Sequence, residues 1–137
     1  MKILILNGPN LNLLGKREPE VYGNINLDGL KSQLLEQFPQ VDLDFYQSNV
    51  EGELINKLHQ VGFTYDGIVF NPGGYTHTSV ALRDAIAGID TPVIEVHISN
   101  THAREKFRKH SFITPVSKGC ITGLGLTGYS LAIESFL

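Results

Sequence analysis

The chain has 137 residues, of which 42% are hydrophobic, with one cysteine and a formal net charge of −3. That length suits a single domain spanning residues 1–137, and the apolar content excludes a disordered chain. The acidic balance argues against a dedicated nucleic-acid binder, and a lone cysteine excludes an internal disulfide, as expected of a cytoplasmic protein.

The opening MKILIL is apolar but too short for a signal peptide or a membrane span, so no membrane association is expected. Residues 2–7, KILILN, read as a strand buried on both faces. Residues 7–24, NGPNLNLLGKREPEVYGN, then form a loop far longer than the ~4–6 residues usual between elements. Its asparagines, its arginine and its tyrosine mark it as a functional loop. Residues 27–38 have helical spacing, with Leu27, Leu30, Leu34, Leu35 and Phe38 facing inward, Asn26 as N-cap and Pro39 as stop. VDLDFYQS at 41–48 alternates apolar and polar, the period of a half-exposed edge strand.

A helix over 51–62 follows, with Leu54, Ile55, Leu58 and Val61 inward, and then a buried strand, GIVFN, at 67–71. NPGGYTHTS at 71–79 is a tight turn in which Thr76, Thr78 and Ser79 are available as caps. A helix over 78–89 places Val80, Ala81, Ala85 and Ile86 for packing. PVIEVH at 92–97 is a strand, and AREKFRKH at 103–110 a short basic helix or turn with Arg104 and Arg108 on one face. KGCITG at 118–123 is a last strand in which Cys120 reads as a buried, inert thiol. LTGYSLAIESFL at 126–137 closes the sequence as a helix.

Strand and helix thus alternate five times. Right-handed crossovers then give an α/β, flavodoxin-like three-layer sandwich with a five-stranded parallel sheet of order 2-1-3-4-5. In such a sheet ligands bind beyond the carboxyl ends of the strands, beside the reversal between strands 1 and 3.

Reactive residue types gather there. Asn71 and His77 follow strand 3, where a helix N-terminus suits a carboxylate or other anion. Glu95 and His97 are two apart on strand 4 and share a face. A charge on a buried strand needs a partner, and a Glu–His pair sets the imidazole tautomer. Ile98 and Ser99 offer backbone N–H groups at that strand's end. No phosphate-loop, dinucleotide or nucleophile-elbow motif is present, and the histidine spacing matches no metal motif.

Three segments, LILNGPNLNLLGKREPEVYG, NPGGYTHTSVALRDA and VIEVHISNTHAREKFRKHS, with the ending GLGLTGYSLAI, together resemble type II 3-dehydroquinate dehydratases. The resemblance implies reversible loss of water from 3-dehydroquinate to give 3-dehydroshikimate in the shikimate pathway, without metal or organic cofactor. It implies flavodoxin-like subunits in trimers, four of which form a dodecamer. It implies that Tyr22 removes a proton beside the ketone, that Arg17 lowers the pKa of that tyrosine, and that Asn10 holds a water near the enolate. His97, oriented by Glu95, matches the acid at the departing hydroxyl. Asn71, His77, Ile98, Ser99 and Arg108 match the substrate-binding set. Arg104 matches a lid contact, and Asp84 a residue reaching a neighbouring subunit's site. The chemistry is coherent. A tyrosine with a pKa of ~10 needs a nearby cation to act as a base at neutral pH, and Arg17 lies in the same loop.

Overall fold

The computed structural model describes residues 1–16, 20 and 24–137. The expectations for Arg17 and Tyr22 lie outside the described residues. Five strands, β1 (Lys2–Asn7), β2 (Asp42–Gln47), β3 (Gly67–Asn71), β4 (Val93–His97) and β5 (Gly119–Thr122), form one sheet. All pairings are parallel and the order is β2-β1-β3-β4-β5, as expected from the alternation. The described α-helices are α1 (Leu27–Gln37), α2 (Glu51–Val61), α3 (Val80–Ala87) and α4 (Thr127–Glu134). Among the described residues no helix is long and apolar enough to cross a membrane.

The central strands are continuous apolar runs because both faces of the sheet are covered. Ile3, Ile5, Val69, Ile94 and Val96 pack in one core with Leu30 and Leu34 of α1 and with Tyr129, Ala132 and Ile133 of α4. Leu4, Leu6, Ile68, Phe70 and Val93 pack in the other with Leu54 and Leu58 of α2 and Leu82 and Ile86 of α3. Strand parity carries these two sides past the strand ends. Asn7 and Asn71 fall on the α1/α4 side, and Glu95 and His97 on the α2/α3 side.

Local chemistry sets the helix starts. The Asn26 side chain accepts the Gly29 N–H at 2.8 Å, and the Ser79 hydroxyl accepts the Leu82 N–H at 2.9 Å. Each such cap contributes about 1 kcal/mol. The Ser79 cap also explains a difference from the sequence reading. Residues Gly73–His77 form a separate 3-10 turn and α3 begins only at Val80, which turns Leu82, Ala85 and Ile86 inward. Val80 and Ala81 are consequently exposed. Leu35 is also exposed, because Leu30, Leu34 and Phe38 already complete the buried stripe of α1 and Leu35 lies a sixth of a turn or more off it. Thr76 is buried but caps nothing; its hydroxyl has no hydrogen-bond partner.

Two further expectations are corrected. Residues 101–109 hold two short 3-10 turns, Thr101–Ala103 and Lys106–Lys109, with Arg104 extended between them, so Arg104 and Arg108 share no helical face. Cys120 is exposed, because it sits on the edge strand β5.

Candidate active site

The loops after β1 and β3 lie backbone against backbone. The Gly8 N–H donates to the Asn71 carbonyl at 2.8 Å. A Cβ on Gly8 would stand 2.6 Å from the Pro72 oxygen, and one on Gly73 (φ +61°) would stand 2.9 Å from the Pro9 oxygen. Only glycine allows that approach. Asn10 takes the left-handed conformation (φ 71°), and its backbone N–H donates to Asn49 Oδ1 at 2.9 Å. The sheet's reversal point is thereby built into a rigid floor.

Over that floor opens a cleft of about 120 Å³ at the carboxyl ends of β1, β3 and β4. Asn10, Asn71, His77 and His97 line it, and so do Ile98, Ser99, Arg104 and Arg108. Eight of the positions singled out in the sequence therefore meet in one place. Glu95 lies directly behind His97. Asp84 does not line the cleft; it is exposed on α3, with Arg83 Nη1 at 3.0 Å.

His97 and Glu95 are both buried, and His97 Nε2 lies 2.5 Å from Glu95 Oε2. Burial works against the Glu95 charge. The bond and attraction of His97, with the hydroxyls of Thr114 and Ser111, outweigh it and hold the carboxyl below its ordinary range. An ionised Glu95 accepts from Nε2–H, which leaves Nδ1 as the other ring nitrogen of His97.

The ring of His77 stacks over that of His97 and meets Phe107 edge-on at 5.9 Å. Its Nδ1 lies 2.7 Å from the His110 carbonyl, which can only accept, so Nδ1 carries the proton and Nε2 is an acceptor. Burial lowers the pKa of His77 against the raising effect of the His110 carbonyl, and the nearby His97 and Arg108 lower it further. His77 is accordingly neutral at pH 7.

The cations stand at the rim. Arg104 Nη1 donates to Ser99 Oγ at 3.2 Å, and Arg108 Nε donates to Glu105. They give an acidic protein a local site for an anion. On the opposite side Asn71 is fixed from below. Its Nδ2 donates to the Tyr129 hydroxyl at 2.9 Å, and its Oδ1 accepts the Gly73 N–H at 3.1 Å. Tyr129 in turn donates to Asn7 Oδ1 at 2.6 Å. Sequence reasoning missed Asn7, Tyr129, Ser111 and Thr114, since each reaches its partner across the fold and none belongs to a spaced motif.

Glu95, His97 and Cys120 each place a metal-type donor atom within 4.8 Å of the others. The trio fits a hydrogen-bonded cluster better than an ion. The Glu95 oxygens are taken by three donors, and burial and the Glu95 charge push the Cys120 thiol up to about 12, keeping it protonated. Cys120 is exposed as a residue, while its Sγ lies within 4.8 Å of the donor atoms of Glu95 and His97.

A family model described as dehydroquinase class II matches residues 1–137. A 3-dehydroquinate dehydratase of Bacillus licheniformis is 60% identical over 98% of this chain and 94% of its own length. One from an Exiguobacterium species is 56% identical over 100% of this chain and 94% of its own. The crystal structure of a type II dehydroquinase from Butyrivibrio crossotus superposes with a TM-score of 0.96 at 48% identity, covering 99% of this chain and 97% of that one. With the parallel sheet, the cleft at its reversal point and the buried Glu–His pair already in place, the match over the whole sequence means that this chain belongs to the class II dehydroquinases.

Proposed function

We infer that the chain is a 3-dehydroquinate dehydratase, a hydro-lyase interconverting 3-dehydroquinate and 3-dehydroshikimate through an enolate. The observation that carries this reading is the buried Glu95–His97 pair at the wall of a cleft rimmed by Arg104 and Arg108. Relatives that are 56% and 60% identical bear the same name.

Tyr22, as phenolate, removes the proton at C2 beside the ketone, and Arg17 favours the phenolate. The C2–H electrons move into the ring and the charge settles on the ketone oxygen, where Asn10 stabilises it through a water. The enolate re-forms its carbonyl and the C1–O bond breaks. His97 gives a proton to the departing hydroxyl, which leaves as water, because hydroxide alone is a poor leaving group. The tyrosine's proton returns to the imidazole by way of solvent, and the enzyme is reset. No step calls for a metal or an organic cofactor.

The substrate carboxylate is bound by the backbone N–H groups of Ile98 and Ser99, with Arg108 contributing charge. Asn71 and His77 take the ring hydroxyls, and Arg104 closes over them. Asp84, exposed and outside its own cleft, completes the site of a neighbouring subunit in a trimer, and four trimers make a dodecamer. The enzyme works in the cytoplasm, in the route to chorismate and the aromatic amino acids.

The test is an assay of the purified protein with 3-dehydroquinate, following the absorbance of the conjugated product. Turnover is expected, with Tyr22→Phe and His97→Ala each lowering kcat by roughly 10²–10⁴, the usual contribution of general acid–base groups. Borohydride added with substrate should leave activity intact. Absence of turnover by the assembled protein overturns the reading, and near-native kcat in either variant overturns that residue's role.

A further inference from the structure

Glu95 is 1% exposed, and each described side chain that hydrogen-bonds its carboxylate is able to donate to it. His97 approaches Oε2 at 2.5 Å. The Ser111 hydroxyl approaches the same oxygen at 3.1 Å, and the Thr114 hydroxyl bonds Oε1. Ser111 has no freedom in this. Its oxygen accepts the Ile113 N–H at 3.0 Å and the Thr114 N–H at 3.0 Å. A hydroxyl has two lone pairs and one proton, so with both pairs engaged the proton goes to Glu95. A proton on Oε2 could be taken only by Nε2 of His97 among these partners, and only once that nitrogen had lost its own, since the Ser111 hydroxyl is committed to donating.

We propose that Ser111 and Thr114 are positioning residues for the dehydration. Their hydroxyls keep Glu95 ionised, which holds a proton on Nε2 of His97 and makes Nδ1 the nitrogen that exchanges a proton with substrate. The proposal rests on His97 being the acid in the reaction above. The proton that leaves Nδ1 goes to the departing hydroxyl, Nε2 keeps its own, and Glu95 stays a carboxylate throughout.

The other groups facing this cluster are few among the described residues. Cys120 lies beside Glu95 from β5, and its thiol stays protonated. His77 stacks on His97 from the turn after β3 and is neutral, and Arg108 stands beyond it at the cleft's rim. None of them supplies a second acceptor for the Nε2 proton. Loss of either hydroxyl therefore makes the ionised carboxylate costlier, and the variant needs a higher pH to reach the same state.

The test is the pH profile of kcat and KM for the native enzyme, Ser111→Ala, Thr114→Val and Thr114→Ser. Thr114 is exposed, and valine keeps its shape, so that variant should fold even if Ser111→Ala, which also deprives two backbone N–H groups, does not. Ser111→Ala and Thr114→Val are expected to lose roughly tenfold in kcat at the acid end, about the value of one hydrogen bond to a charged group. KM should stay within about twofold, and Thr114→Ser should restore the native profile. An unmoved acid limb in Thr114→Val, or a pH-independent loss that serine does not rescue, overturns the proposal while native turnover leaves the function standing. A native enzyme without turnover overturns both.

Discussion

The rings of His77 and His97 lie 6.5 Å apart at their centroids and within 20° of parallel. Two imidazolium ions could not be stacked so cheaply. The fold avoids that by giving them different partners: a carboxylate for His97 and a backbone carbonyl for His77. One carbonyl does not offset the burial of a charge, so His77 stays neutral with Nε2 as an acceptor, which is what the proposed hold on a substrate hydroxyl requires.

His77→Ala is accordingly expected to raise KM up to roughly tenfold, about the worth of one neutral hydrogen bond, with a smaller change in kcat. Steady-state kinetics decide this. A fall in kcat at constant KM would instead place His77 among the groups acting on the reacting atoms.

Tyr129→Phe leaves Asn7 Oδ1 and Asn71 Nδ2 buried without the hydroxyl that joins them. The expected loss of stability is about 1–3 kcal/mol, read from urea denaturation, together with a higher KM because Asn71 is no longer held. Native stability in this variant would show that the three-residue chain adds nothing.

Gly8→Ala should be damaging and Gly52→Ala harmless. The first puts a Cβ 2.6 Å from a backbone oxygen; the second, inside α2, meets nothing within 4 Å. Gly8→Ala must push the two active-site loops apart and should lose at least tenfold in kcat/KM. Gly52→Ala should keep activity and gain about 0.5–1 kcal/mol from helix propensity. Similar kinetics in the two variants would mean that loop contact does not set the site.

Stability should fall in two stages on acidification. His77 has a lowered pKa, so its contribution is whole above the ordinary value of 6.5 and declines as pH falls through its folded value. Glu95 is also lowered, so its contribution is whole above 4.5 and is lost further down. Melting temperatures measured from pH 8 to pH 3 should decline below about 6.5 and more steeply below about 4.5. Glu95→Gln should flatten the second stage, and an unchanged slope in that variant would assign it to other groups.

The sheet was legible because its signal is local and strong. KILILN and GIVFN are apolar at every pleat, and alternation with helical stretches leaves one economical topology. Seven of the cleft's positions were legible because they end or follow strands whose ends meet, and Asn10 was legible through the family resemblance. What the sequence concealed depends on partners far along the chain. Ser111 reaches back to Glu95, and Tyr129 to Asn7, with no pattern in the intervening residues. Val80 and Leu35 misled for a simpler reason: a helical stripe takes only some of the apolar residues near it, and the cap at Ser79 decides which.

The reach of Tyr129 also bears on how the protein is made. Asn7 and Tyr129 are 122 positions apart, so the first strand waits for the last helix before its polar end is satisfied. During synthesis at ~5–20 residues per second, β1 through β4 can assemble while Asn71 still lacks its anchor. A ribosome-bound chain ending just before residue 129 would hold all five strands and still lack the hydroxyl that anchors Asn71. The cleft's floor is thus completed late in biogenesis, in a step separable from collapse of the core.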